Sequence, residues 1–319
     1  MLDVLSITSP IYLIMLMGYA MTRLGVFAKT DMRLFGKFVL NLALPALVFR
    51  ALAQHHVTDI FNPTYLLAYV LGTLAVLAVG YLYMRRVAGQ DGTTAAIVAM
   101  GMSSSNSGFV GYPILLLVIP PVAGVALALN MLLENLLVIP LLLVLADLGQ
   151  GSAQIWPSLR RSLARLLRNP LVLGLVSGLM VSLSGVTLPS PVTRTVDLLA
   201  AASGALSLFV IGGTLVDLPL KGISARVLPI VLGKLLLHPM LVWLAIGALP
   251  MLGMAVLSPD LHTAAVVMAA MPMMGIYVTL AQVYGLEDMS AAATLVTTVL
   301  SFFSVSLLLW LLHQWPMAA

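Results

Sequence analysis

Residues 101–113, Gly-Met-Ser-Ser-Ser-Asn-Ser-Gly-Phe-Val-Gly-Tyr-Pro, interrupt a stretch that is otherwise apolar enough to cross a membrane. A second interruption, Met271-Pro272-Met273-Met274-Gly275-Ile276-Tyr277, lies at the corresponding place in the other half of the chain. Lipid supplies no hydrogen bonds. A span therefore tolerates glycine, serine and proline at its centre only where protein or a water-filled cavity answers the freed backbone groups. Two broken helices in matching positions of two halves point to the substrate site of a carrier.

The rest of the chain fits no aqueous fold. It is 61% hydrophobic and only 8% charged, with a mean hydropathy of +1.10, whereas soluble domains carry roughly 25% charged residues. The net charge of +4 comes from basic residues in short loops, so it reads as a topology signal and not as an affinity for nucleic acid. With no cysteine, disulfides, thiol nucleophiles and thiolate metal sites are excluded. Residues 4–21 are preceded by Asp3 and no basic segment, which reads as a retained first span and not a cleaved leader.

Runs of about 17 to 25 apolar residues are spanning candidates. Ten are legible: 4–21, 32–53, 65–84, 93–119, 121–145, 170–186, 192–215, 227–249, 264–284 and 289–312. Lysine and arginine gather at the odd-numbered loops: Arg23, Lys29, Arg33 and Lys37, then Arg85 and Arg86, then Arg160, Arg161, Arg165 and Arg168, then Lys221 and Arg226. Odd loops are therefore expected in the cytoplasm and both termini outside. The expected fold class is an all-α polytopic membrane protein of ten transmembrane helices. Residues 1–147 form one five-helix repeat, 148–168 a basic cytoplasmic linker, and 169–319 a second repeat. Five spans per half inverts the second relative to the first, with the fourth and ninth helices broken and crossing.

Polar residues at membrane depth are costly and each is a candidate site residue. The first break offers Ser103, Ser104, Ser105, Asn106, Ser107, Gly108 and Pro113; the second offers Pro272, Met274, Gly275 and Tyr277. A break exposes a half-helix N-terminus, whose free N–H groups and partial positive charge suit an anion. Asn106 adds two donors and an acceptor, although small polar residues also simply let helices pack. Span five carries Asn130 and Glu134 four residues apart on one face, with Asn135 beside them. Glu134 is the lone mid-span carboxylate, which suits a proton-coupling group unless a cation fixes it as an ion pair. Lys234 and His238 share a face of span eight. Lys234 is either a snorkelling interfacial lysine or a counter-charge for a substrate anion or for Glu134. Arg50 could meet a carboxylate from the outer end of span two, or sit at the interface. His55 and His56 have no third ligand nearby, so no metal site is expected. No nucleotide loop, HExxH or GxSxG elbow is present, so neither an enzyme nor a cofactor is expected.

At these residues the chain resembles the auxin efflux carrier family. The resemblance rests on Asn41-Leu42-Ala43-Leu44-Pro45-Ala46-Leu47, on Asn106 with Gly111-Tyr112-Pro113, on Arg168-Asn169-Pro170, on Lys234 with Pro239, and on Ala281-Gln282-Val283-Tyr284. Their order covers nearly the whole chain. The family implies a scaffold of spans one, two, six and seven, and a mobile part carrying the crossovers elevator-fashion. It also implies a carboxylate substrate where the crossovers meet, and a homodimer. Tyr277 stands where plant members have a second proline, so auxin itself is not implied. The likeness is greatest to the bacterial branch that includes malonate carriers, which makes a small dicarboxylate the expected substrate, with proton coupling as one option and the bacterial inner membrane as the place. The competing readings are a sodium-coupled organic-anion symporter of bile-acid-symporter-like fold, and a membrane sensor or channel without turnover.

Overall fold

The computed structural model describes residues 2–54, 61–149, 168–216 and 226–314. Among them the regular structure is helical. In chain order the helices are α1 (Leu2–Arg23), α2 (Lys29–Ala53), α3 (Pro63–Arg86), α4 (Gly92–Ser103), α5 (107–118), α6 (Pro120–Gly149), α7 (Pro170–Ser184), α8 (Ser190–Thr214), α9 (Val227–Leu252), α10 (Pro259–Ala270), α11 (Tyr277–Gln282) and α12 (Glu287–Gln314). Six of these, α2, α3, α6, α8, α9 and α12, are long and apolar enough to cross a membrane. Both expected breaks are present: extended residues separate α4 from α5, and a turn separates α10 from α11. Many large apolar side chains stand on the surface, including Leu16, Leu183, Leu198 and Phe303, as a lipid solvent requires.

Contacts sort the chain into two compact units, each drawing on both halves of the sequence. The first comprises Met1–Asn62, Ser107–Leu132 and Leu167–Asp217. Within it α1 packs along α8, and α2 along α7 and α8. Glycine sets how close they come. A Cβ on Gly18 would overlap the Phe209 carbonyl, and one on Gly212 the Met15 carbonyl. On α7, Gly174 and Gly178 form a G-x-x-x-G pair against α2, where added Cβ atoms would lie 2.6 Å from the Pro45 oxygen and 2.8 Å from the Phe49 oxygen. Without a hydrophobic drive between helices in lipid, such backbone-to-backbone approach supplies the association through dispersion.

The second unit comprises Pro63–Asn106, Leu133–Leu166 and Leu218–Ala319. Here α4 is buried along its whole length, and α10 nearly so. Their sequences, Gly-Thr-Thr-Ala-Ala-Ile-Val-Ala-Met-Gly-Met-Ser and His-Thr-Ala-Ala-Val-Val-Met-Ala-Ala within α10, are rich in small residues and apolar on every side. A helix with that pattern has no solvent face and belongs inside a bundle. Around the pair pack α3, α9, α12 and the second half of α6. Asp91 caps α4, accepting from the Thr94 amide at 2.9 Å and the Thr94 hydroxyl at 2.6 Å.

Valine at Gly174 must push Pro45 aside, and overpacking costs about 1–3 kcal/mol. Gly204 meets nothing within 4 Å, so Gly204→Ala should be neutral or slightly stabilising. Thermal unfolding in detergent should thus show Gly174→Val melting well below Gly204→Ala. Equal melting would mean that α2 and α7 are not packed backbone to backbone.

Candidate functional site

Four prolines inside helices place much of the site chemistry. Pro45, Pro113, Pro140 and Pro239 each follow by two residues the end of a π-helical turn: Val39–Ala43, Ser107–Gly111, Glu134–Val138 and Gly233–Leu237. Proline has no N–H to donate and its ring collides with the carbonyl four residues back. The helix answers by widening. In three cases the residue before the proline donates to the carbonyl five residues back: Leu44 to Val39, Ile139 to Glu134, and His238 to Gly233. Such π-turns recur at functional positions. Here Glu134 opens one, Lys234 lies in another and Ser107 opens a third.

The two breaks meet through the backbone. After α4 ends, Ser104 and Ser105 run extended, and the Asn106 N–H donates to the Pro272 carbonyl at 2.7 Å. The Ser105 N–H donates to Glu134 Oε1 at 3.0 Å. The hydroxyls of Ser103 and Ser104 fold back onto the carbonyls of Ala99 and Met100, both at 2.7 Å. The bonds of the Ser105 and Asn106 amides occupy donors that the end of the helix leaves without a helical partner. Tyr277, at the start of α11, donates its hydroxyl to the Ile97 carbonyl of α4 at 3.1 Å, which ties the second break to the first half-helix.

Lys234 is the hub. It is fully buried, and its ammonium has three donors to place. It donates to Ser105 Oγ at 2.6 Å, to the Ala269 carbonyl at 3.0 Å, and pairs with His238 Nδ1 at 2.8 Å. With Nδ1 accepting from the ammonium, the His238 proton sits on Nε2 and is offered to Thr73 Oγ1 at 3.0 Å. This tautomer is assigned from the partners. The Tyr69 hydroxyl donates to Ser105 Oγ at 3.2 Å, and its ring meets His238 edge-on with centroids 5.7 Å apart. Ser105 thus takes Lys234 on its side chain and gives its amide to Glu134. Glu134 and Lys234 also interact electrostatically. Ala269 and Ser105 lie at the C-terminal ends of α10 and α4, where a cation complements the helix dipole.

The expected residues fall in different places. Lys234 does not snorkel; Ser105, His238 and Ala269 hold it inside the second unit, and its link to Glu134 runs partly through Ser105. Asn106 is half-buried and Asn135 likewise; Pro272 and Met274 are buried, while Gly275 is exposed. Ser107, Gly108 and Pro113 are buried on α5, which groups with the first unit, where a Cβ on Gly108 would sit 3.0 Å from Leu44 Cδ1. Asn130, on α6 one turn before Glu134, is fully buried with neither side-chain atom hydrogen-bonded. Arg50 pairs with Asp197 of α8 at 3.5 Å. His55, His56, Arg160, Arg161, Arg165 and Lys221 lie outside the described residues. Sequence reasoning missed Tyr69, Thr73 and Asp197. The first two had a signal: Tyr65, Tyr69 and Thr73 recur every four residues and so share one face of α3.

Lys234→Met removes one partner of a buried charge pair and strands three acceptors. Such losses cost about 3–5 kcal/mol. The variant should melt far below the parent in detergent, and below Glu134→Gln, which keeps a side chain able to accept the Ser105 amide. A Lys234→Met protein as stable as the parent would show that the network does not brace the breaks.

The chain is 30% identical over 326 residues to a Rhizobium meliloti (strain 1021) protein named "Putative malonate transporter", covering 100% of this chain and 99% of the relative. It is 28% identical over 314 residues to the "Uncharacterized transporter YfdV" of Escherichia coli (strain K12), covering 95% of each. A shorter match, 29% over 106 residues, joins it to an uncharacterized transporter of Methanothermobacter thermautotrophicus. The family model described as membrane transport protein matches residues 4–311, and the chain belongs to that family of membrane transporters, the auxin efflux carrier family.

Proposed function

We propose that this protein is a secondary carrier for a small organic anion, malonate or a similar dicarboxylate, held where the two breaks meet. The observation that carries the reading is the Asn106–Pro272 bond, which joins two interrupted helices inside one unit beside the charged network of Lys234, Ser105 and Glu134. A backbone opened at that depth and braced so fully suits a binding site that must survive motion. The malonate relative supplies the first substrate to try.

In the same proposal the chain crosses the inner membrane ten times as two inverted repeats, with both termini outside, and works as a homodimer. It cycles by elevator-type alternating access, with the breaks carried on the moving part. Asn106 contacts the substrate carboxylate, and Tyr277, Lys234 and His238 hold the breaks in place. The charge balance suggests how a proton would enter. Glu134 and Lys234 together are neutral, so an anion arriving beside them adds uncompensated charge in a place where charge is expensive. One proton on Glu134 leaves Lys234 as a net cation, which balances one of the two negative charges of a dicarboxylate.

The direct test is uptake of radiolabelled malonate into proteoliposomes, competed by mono- and dicarboxylates, with proton and sodium gradients imposed separately. Dicarboxylates should compete best, and a proton gradient alone should stimulate. Failure of every carboxylate to compete would remove the substrate class, and dependence on sodium would move the protein to the symporter reading.

Two variants test the roles. A hydrogen bond to a charged group is worth about 1.5–3 kcal/mol, so Asn106→Ala should weaken apparent malonate affinity roughly 10- to 150-fold in protein that stays monodisperse. Unchanged affinity would take Asn106 out of the site. Glu134→Gln mimics the protonated carboxyl and leaves Lys234 as the net cation. It should lose stimulation by an imposed pH gradient while keeping counterflow exchange. A parent-like response to the gradient would make Glu134 a positioning residue only.

A further inference from the structure

A second polar site lies in the first unit. The last turn of α2, the end of α7 and the start of α8 enclose a cleft of about 440 Å³. Gly185 makes it possible: it ends α7 in the left-handed region, at φ +63°, and turns the chain into the 186–189 loop that forms one wall. Phe49, Val186, Leu188 and Val196 give the cleft apolar sides, and Arg50 and Asp197 meet within it.

The pair itself is unusual for such a place. Its atoms are 3.5 Å apart, with side chains 28% and 47% exposed, and an open pair at that separation adds little stability. Arg50 also hydrogen-bonds the Tyr112 side chain, yet a guanidinium has five N–H donors and a carboxylate about four acceptor sites, so both groups keep hydrogen-bonding capacity beyond these contacts. The cleft therefore presents a cation and an anion side by side, both able to take a ligand of opposite polarity. The rim is apolar: Val186 is 59% exposed, and Leu183 beside it 72%. In the membrane-spanning reading proposed above, a rim of that kind continues the lipid-facing surface at the ends of the helices, where head groups lie.

We propose that this cleft binds the head group of a zwitterionic phospholipid carrying a primary ammonium, of the phosphatidylethanolamine type. Arg50 takes the phosphate, for which its planar fork is suited. Asp197 takes the ammonium, whose three N–H donors a carboxylate can accept. The apolar walls take the glycerol and the first acyl carbons. A trimethylated head group has the same charges but no N–H to give, and a glycerol head group has no cation at all, so the two ends of the site discriminate differently.

The test uses the purified full chain in detergent, titrated with short-chain phosphatidylethanolamine, phosphatidylcholine and phosphatidylglycerol and read by native mass spectrometry. The parent should bind the ethanolamine lipid about five- to ten-fold more tightly than the other two. Asp197→Leu, which removes the acceptor as well as the charge, should bring the ethanolamine and choline lipids to equal affinity while leaving the phosphate contact. Arg50→Gln should weaken all three together. Ser182→Trp fills the cleft with both charged groups intact and should abolish the preference. Water-soluble glycerophosphoethanolamine should compete poorly, since it lacks the chains that the rim contacts. No preference in the parent, or a preference that survives Asp197→Leu and Ser182→Trp, overturns the proposal. Full competition by the soluble head group makes the site one for a free zwitterion, and a Ser182→Trp protein that changes its oligomeric mass makes it a contact between copies; either result also overturns it.

Discussion

An opened helix inside a bilayer leaves amide and carbonyl groups that nothing in the lipid can satisfy, and each one costs about 1–3 kcal/mol if it stays unpaired. The second unit is organised around that cost. The Asn106 amide is answered by the other break, the Ser105 amide by Glu134, and the Ala269 carbonyl by Lys234. Two of those three partners are ionisable side chains that would themselves be costly to bury alone. The charged residues and the broken helices thus need each other, and removing either leaves the other exposed to a low-dielectric interior.

The prolines make this meeting possible at the level of single helices. A regular α-helix through Gly233–Leu237 would require a bond that Pro239 cannot give and a carbonyl that its ring would strike. Widening to a π-turn resolves both and rotates the residues within the turn relative to those beyond it. Lys234 lies inside the turn and His238 follows it, yet the two side chains touch at 2.8 Å. The Glu134 turn before Pro140 repeats the device in α6. An interior proline accompanies each of the four π-turns, whereas Pro10 lies inside α1 without one.

The sequence made the helices and the breaks legible because both are local. Long apolar runs mark α2, α3, α6, α8, α9 and α12, and clustered Gly, Ser and Pro mark the two interruptions. The expected boundaries miss by a few residues at capped ends, as at Ser258, whose hydroxyl starts α10 ahead of the apolar run that begins at Ala264. The site was half legible. Asn106, Glu134, Lys234 and His238 stand out as polar residues in apolar spans. What no periodicity encodes is that Lys234 reaches Ser105, 129 positions away, or that Arg50 meets Asp197 across 147. The sequence reading also looked to half-helix N-termini for the site chemistry. In the second unit the polar network instead gathers at the C-terminal ends of α4 and α10, because a buried lysine is stabilised by carbonyls and not by free amides.

The two breaks resemble each other in position and differ in chemistry, and the difference fixes how they join. Pro272 has a carbonyl and no N–H, so at that point the second break can only accept. The first break must then supply the donor, and Asn106 does so with its backbone. The Asn106 backbone N–H and the Pro272 carbonyl meet in a 2.7 Å bond. That bond consumes the Asn106 amide, so any anion recognised by Asn106 in the proposed carrier must be met by its carboxamide. The backbone of this residue joins the two breaks, and in the proposed carrier its side chain would carry the selectivity.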